Sequence, residues 1–158
     1  MFKSVVMNED IKINEDLLMN YILFSKAELS VFVDVCKYHY IVRKNSASRA
    51  KNSQYKIFDP IKVKQIILDR ADKQMILLAK QAYLRTCINV YNSLMLEKAN
   101  EYLSEKRKVR QIIIEHKKWC YILDKKQKIL LVLICHMPIL YPIIYKIYAK
   151  VLLHSKYD

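Results

Sequence analysis

Glu15 and Asp16 stand side by side behind Asn14, a helix-capping residue type, and ahead of the apolar pair Leu17-Leu18. A carboxylate in the first turn of a helix is favoured in its charged form, so it can accept a proton from a hydroxyl nucleophile. Plain compensation of the helix dipole would place the same residues there. Further along, Arg43, Asn45, Ser46 and Ser48 lie in a segment with almost nothing to bury. That set can clamp a diphosphate through charge-assisted hydrogen bonds, or stand solvated as an ordinary loop. His39, His116, His136 and His154 are spread too widely to form a recognisable metal cluster, and no Ser-His-Asp or Cys-His spacing is present.

These residues need elements to position them. Asn14 is expected to cap a short helix whose apolar face is Leu17, Leu18, Tyr21 and Ile22, ending near Ala27. Leu29 to Val35 is rich in β-branched residues and reads as a strand. After a turn near Cys36-Lys37, Tyr38 to Arg43 alternates as a second strand, which delivers Arg43 to the polar loop 44–54. From Asp59 onward the pattern is helical, with Asp59 expected as an N-cap and Pro60 at the first helical position. A break is expected near Arg70 to Lys73, and a later helix from about Glu97 to Trp119 carries the cluster Lys106-Arg107-Lys108-Val109-Arg110. The fold class that follows is mainly α: a small α/β part of one helix and two strands over residues 1–55, then a basic helical region over 56–158.

Composition narrows the functions open to such a chain. At 158 residues and 53% hydrophobic it can bury a core of about one domain. It contains no glycine, which excludes a P-loop or a glycine-rich dinucleotide fingerprint and moves any positive-φ turn onto Asn, Asp, Lys or Ser. Net charge is +13 and uneven: residues 1 to 50 carry 7 Lys and Arg against 6 Asp and Glu, residues 51 to 158 carry 21 against 9. An excess of that kind attracts nucleic acid or an anionic membrane face. Cys36, Cys87, Cys120 and Cys135 have no paired spacing, so reduced, buried thiols are expected rather than a zinc site or disulfides. The amino terminus has no apolar run of signal-peptide length, which makes a cytoplasmic location the expectation.

Ile129 to Tyr145 is 17 residues without a Lys, Arg, Asp or Glu, bracketed by Lys125, Lys126 and Lys128 and by Lys146, Lys150 and Lys156. Pro138 and Pro142 interrupt it. Two short helices within 125–155, lying in a membrane interface with Tyr141, Tyr145 and Tyr148 at headgroup level, satisfy this pattern. A core helix pair of a soluble bundle satisfies it equally.

The order of the pieces carries a resemblance. Ile13-Asn14-Glu15-Asp16-Leu17-Leu18, then an apolar strand, then Tyr38-His39-Tyr40 through Arg43, Asn45, Ser46 and Ser48, then a basic helical tail, resembles the C-terminal portion of bacterial family 2 glycosyltransferases of capsule and cell-surface polysaccharide synthesis. The resemblance implies that Asp16 is the general base that deprotonates the acceptor hydroxyl, with Glu15 beside it orienting the acceptor or the helix. Arg43, Asn45 and Ser46 would close on the donor diphosphate. The family's nucleotide-sugar-binding half, with its Asp-x-Asp motif and divalent metal, has no counterpart here: no Asp-x-Asp occurs in the chain. The expectation is a truncated or split transferase, inactive alone, with no cofactor or metal of its own. Its partners would be a donor-binding half in trans, a polysaccharide or lipid-linked acceptor and the inner face of the cell membrane. The competing expectation is a non-enzymatic basic helical protein that binds a membrane surface or nucleic acid.

Overall fold

A computed structural model describes residues 9–31, 33–35, 54–98 and 100–154, with side chains through residue 151. The chain forms two compact units, residues 1–67 and 68–158. Among the described residues the regular structure is helical, as the periodicity predicts, in the order α1 (Glu15–Ser25), α2 (Gln54–Arg70), α3 (Ile76–Leu96), α4 (Leu103–Glu115), a 3-10 helix (Lys117–Ile122), α5 (Lys125–His136) and α6 (Tyr141–His154).

In the first unit α1 lies on α2 through buried Ile11, Leu18 and Val63, with Leu17, Ile22, Ile66 and Ile67 packed against them. Asp59 does not cap a helix. It lies inside α2, buried, and its Oδ2 accepts the backbone N–H groups of Lys12 at 2.7 Å and Ile13 at 3.1 Å. Pro60 is likewise inside α2 rather than at its first position. An interior proline removes one backbone donor and crowds the preceding turn, at about 3 kcal/mol. Burial of Ile57, Ile61 and Val63 on the same helix offsets that cost.

The expected strand over Leu29 to Val35 is not formed among the described residues: the chain there has no ladder partner, and Leu29, Val31, Val33 and Val35 are exposed, Leu29 by 83%. Strand composition favours a pleated, half-buried surface, and among the described residues there is no neighbouring strand to supply one. The expected strand Tyr38 to Arg43 falls outside the described residues.

The second unit is built around α3, whose buried residues include Ala79, Tyr83, Leu84, Cys87, Ile88, Tyr91, Leu94 and Met95. Their spacing at intervals of three and four wraps around much of the helix, as expected for an element that packs on α4, the 3-10 helix, α5 and α6. The chain turns into α3 where the break was predicted, with Asp72 Oδ1 accepting the N–H groups of Gln74 and Met75 at 2.9 and 2.8 Å. Asp124 caps α5 by accepting the Gln127 N–H at 2.8 Å.

Positive φ occurs at Asn14 and Tyr102 among the described residues. Asparagine tolerates the left-handed region; tyrosine does so at about 1–2 kcal/mol, a cost the absence of glycine imposes just ahead of α4.

Candidate functional site

The carboxylate pair stands in the first turn of α1, as its position in the sequence predicts, but the local capping differs from expectation. Asn14 adopts a left-handed conformation and its side chain makes no cap bond. Asp16 supplies part of what is missing, its Oδ1 accepting the Leu17 N–H at 2.7 Å. Asp16 is exposed and Glu15 half-buried. Helical geometry places Leu17 and Leu18 toward the small core and leaves the Asp16 carboxylate on the solvent side, able to meet a hydroxyl group. Arg43, Asn45 and Ser46 lie outside the described residues. No group of three or more His, Cys, Asp or Glu side chains able to hold a metal ion occurs among the described residues.

The second candidate is a surface of α5 and α6. The turn between them holds Met137 to Leu140, with Pro138 in the turn and Pro142 at the second position of α6. Two short helices are therefore formed where the lysine-bracketed apolar run predicted them. No helix among the described residues is long and apolar enough to cross a membrane. One face of the pair packs on the bundle through Leu131, Ile134, Tyr141 and Ala149. The other face leaves Ile129, Val132, Ile139, Ile143, Ile147 and Val151 exposed, Ile139 by 84% and Val151 by 66%. Scattered exposed apolar residues are ordinary, but a run of them on two consecutive helices marks a contact surface. Lys125, Lys128, Lys146 and Lys150 are exposed on the same two helices.

The three tyrosines of α6 do not act alike. Tyr141 is fully buried and donates its O–H to Asn92 Oδ1, while stacking on Tyr91 at 5.7 Å and on Tyr145 at 5.8 Å. It is a core residue, which corrects its expected place at headgroup level: its ring fills the space against α3 and its hydroxyl has a partner there. Burial holds its phenol well above the usual tyrosine range, with Tyr145 and Tyr91 adding to the effect. Tyr145 is half-buried and Tyr148 exposed, so these two remain near the surface. Lys126 lies over the Tyr148 ring at 5.2 Å and is raised above the usual lysine range by its hydrogen bond with that phenol.

The basic cluster of α4 is partly structural, which its composition did not reveal. Arg110 donates from Nε to the Ile134 carbonyl and from a terminal nitrogen to the Cys135 carbonyl, both at 3.0 Å, and so satisfies the carboxyl end of α5. Lys106 Nζ donates to the Lys98 carbonyl at 3.0 Å, and Val109 is buried. Arg107 and Lys108 remain exposed. Of the cysteines, Cys87 is buried as expected, whereas Cys120 is exposed and Cys135 half-buried; Cys36 lies outside the described residues. Burial pushes the Cys87 thiol up to about 12. No family model, curated protein or solved structure matches this chain.

Proposed function

We propose that this chain is the acceptor-side and membrane-resting portion of a family 2 glycosyltransferase. The observation that carries the membrane part is the exposed apolar face of α5 and α6, flanked by lysines on the same helices. An amphipathic pair of this kind lies in the plane of an interface, its apolar side chains among the acyl chains and its lysines at phosphate level. The sugar-transfer part rests on the order of the motifs and is supported by the solvent-facing carboxylate of Asp16 in the first turn of α1. The exposed apolar side chains of Leu29, Val31, Val33 and Val35, directly after that helix, suit a segment that joins a sheet belonging to the donor-binding half.

In this reading Asp16 takes the proton of an acceptor hydroxyl. The freed oxygen attacks the anomeric carbon of a nucleotide sugar held by the donor-binding half, the bond to the diphosphate breaks, and the product is inverted at that carbon. Glu15 orients the acceptor, and Arg43, Asn45 and Ser46 draw the diphosphate. The acceptor is a polysaccharide or lipid-linked sugar, and the place of action is the inner face of the cell membrane.

The test is reconstitution with a donor-binding half. Transfer restored by the native chain and abolished by Asp16→Asn, with an unchanged circular dichroism spectrum, is the expected outcome; retained turnover removes Asp16 from the role of base.

A second reading, a membrane-surface protein without chemistry, is favoured by the same α5 and α6 face. Vesicle binding without transfer in any reconstituted mixture would select it. Nucleic-acid binding is the weaker form of this reading, because Arg110 and Lys106 already donate to backbone carbonyls within the unit.

A further inference from the structure

The capping turn that starts α5 fixes Gln127 with only 7% of its surface exposed. Its Oε1 has no hydrogen-bond donor, the one buried side-chain oxygen or nitrogen in that condition among the described residues. A buried acceptor left in this way costs about 1–3 kcal/mol, and native structures usually supply a partner. Gln127 lines a polar hollow of about 210 Å³ with Arg85, Asn89 and Asn92 of α3 and with Lys126. One water would satisfy the amide, but its share of liquid volume is only about 30 Å³, so the hollow has room for a larger polar group.

This hollow shares Lys126, Leu130, Tyr145 and Tyr148 with a second cavity of about 400 Å³ between α5 and α6. The second cavity is apolar, walled by Ile129, Leu133 and Ile144 and by the rings of Tyr141, Tyr145 and Tyr148. Two cavities of opposite polarity with a common wall match a molecule that has both characters. Charge sets the sign of its head: Arg85 and Lys126 against Asp124 leave the polar wall at net +1. Lys126 Nζ stands 5.2 Å from the centre of the Tyr148 ring, on the wall that the two cavities share.

We propose that the two cavities are one bipartite site for a single chain of an anionic phosphoglycerol lipid drawn from the membrane surface. The alkyl chain fills the slot between α5 and α6, the phosphate meets Arg85 and Lys126, and a glycerol hydroxyl donates to Gln127 Oε1. The proposal rests on the membrane-surface part of the proposed function and is independent of sugar transfer.

Calorimetric titration of the full chain with dodecylphosphoglycerol, below its micelle concentration, tests it. The expected result is one site per chain, at least tenfold tighter than for neutral dodecyl maltoside or inorganic phosphate. Ile144→Trp, which adds bulk to the slot from a partly exposed position, should weaken binding at least tenfold. Gln127→Leu should erase the preference for dodecylphosphoglycerol over dodecyl phosphate at pH 9, where the latter is a dianion with no hydroxyl to donate to the amide, and should raise the melting temperature of the free chain. Equal binding of dodecyl maltoside, equally tight binding of inorganic phosphate, or an Ile144→Trp chain that binds normally overturns the proposal. A chain that sediments with phosphatidylglycerol vesicles yet ignores the monomeric amphiphile overturns the site and leaves the membrane-surface reading standing. A chain that does neither overturns both.

Discussion

Tyr141 of α6 donates its phenolic O–H to the amide oxygen of Asn92 on α3, and both side chains are buried. The pair joins the second helix of the lysine-bracketed apolar run to the helix at the centre of the unit, 49 positions away in sequence. Removing the hydroxyl leaves the Asn92 oxygen buried without that donor. Tyr141→Phe should therefore lower stability by about 1–3 kcal/mol. Urea unfolding followed by the fluorescence of Trp119, the one tryptophan of the chain, reads this unit directly. If the hydrogen bond is the cause, Asn92→Leu added to Tyr141→Phe should cost less than the two single changes summed.

Arg110 and Arg107 lie in one basic cluster and predict opposite outcomes. Arg110 closes the carboxyl end of α5 with two charge-assisted bonds, so Arg110→Met should cost about 1.5–3 kcal/mol. Arg107 is exposed, and Arg107→Met should stay within about 0.5 kcal/mol. The same fluorescence titration separates them.

Asp59 tethers the backbone ahead of α1 from inside α2. Asp59→Ala removes the acceptor for both the Lys12 and Ile13 amides, and about 1–3 kcal/mol of destabilisation is expected in the first unit. Hydrogen exchange at those two amides should accelerate, while amides of α3 keep their native rates. Unchanged exchange at Lys12 and Ile13 would show that the tether is not what holds them.

Cys87 and Cys120 should differ in reactivity. Cys87 is buried and its pKa is raised from an ordinary value near 9.0 to about 12, chiefly by burial, whereas Cys120 is exposed. A thiol reagent at pH 8 should modify Cys120 in the folded chain and reach Cys87 only on unfolding. Across pH 9 to 12 the unfolded state releases the Cys87 proton while the folded state retains it. The contribution of Cys87 to stability is complete below about pH 9 and is lost as pH rises toward 12. Burial of Tyr83 and Tyr141, whose phenols are also raised, acts in the same direction at high pH. Stability by urea titration should fall over this range, and Cys87→Ala should reduce the slope.

The α5 and α6 face gives a surface prediction. Ile139→Glu with Ile143→Glu places two charges on exposed positions, so the fold should be retained with a change within about 0.5 kcal/mol for each. Sedimentation with phosphatidylglycerol vesicles should drop more than tenfold. Normal sedimentation by this double variant would remove the apolar face from membrane contact.

The helical character was legible in the sequence because its signal is local. Apolar residues at helical intervals from Met75 to Met95, the break near Arg70 to Lys73 and the prolines after His136 act through neighbouring residues alone, and α3, α5 and α6 formed accordingly. The absence of glycine moves left-handed positions onto Asn, Asp, Lys or Ser, as Asn14 shows, but Tyr102 departs from that expectation. What the sequence could not settle was which side of each element meets another element. Asp59-Pro60 has the local form of a helix start, yet contacts with the backbone of Lys12 and Ile13 and burial of Ile57 carry the helix through it. Leu29 to Val35 has strand composition, but a ladder needs a partner, and none is present among the described residues. Tyr141, Tyr145 and Tyr148 share one residue type and one apolar run, while only packing on α3 makes Tyr141 a core residue and leaves Tyr148 exposed. Residue types and spacing determined where carboxylates, lysines and apolar runs stand along the chain. Burial and hydrogen bonding between segments far apart in sequence decided which of them hold the bundle together and which face solvent, because those energies depend on neighbours that local pattern does not specify.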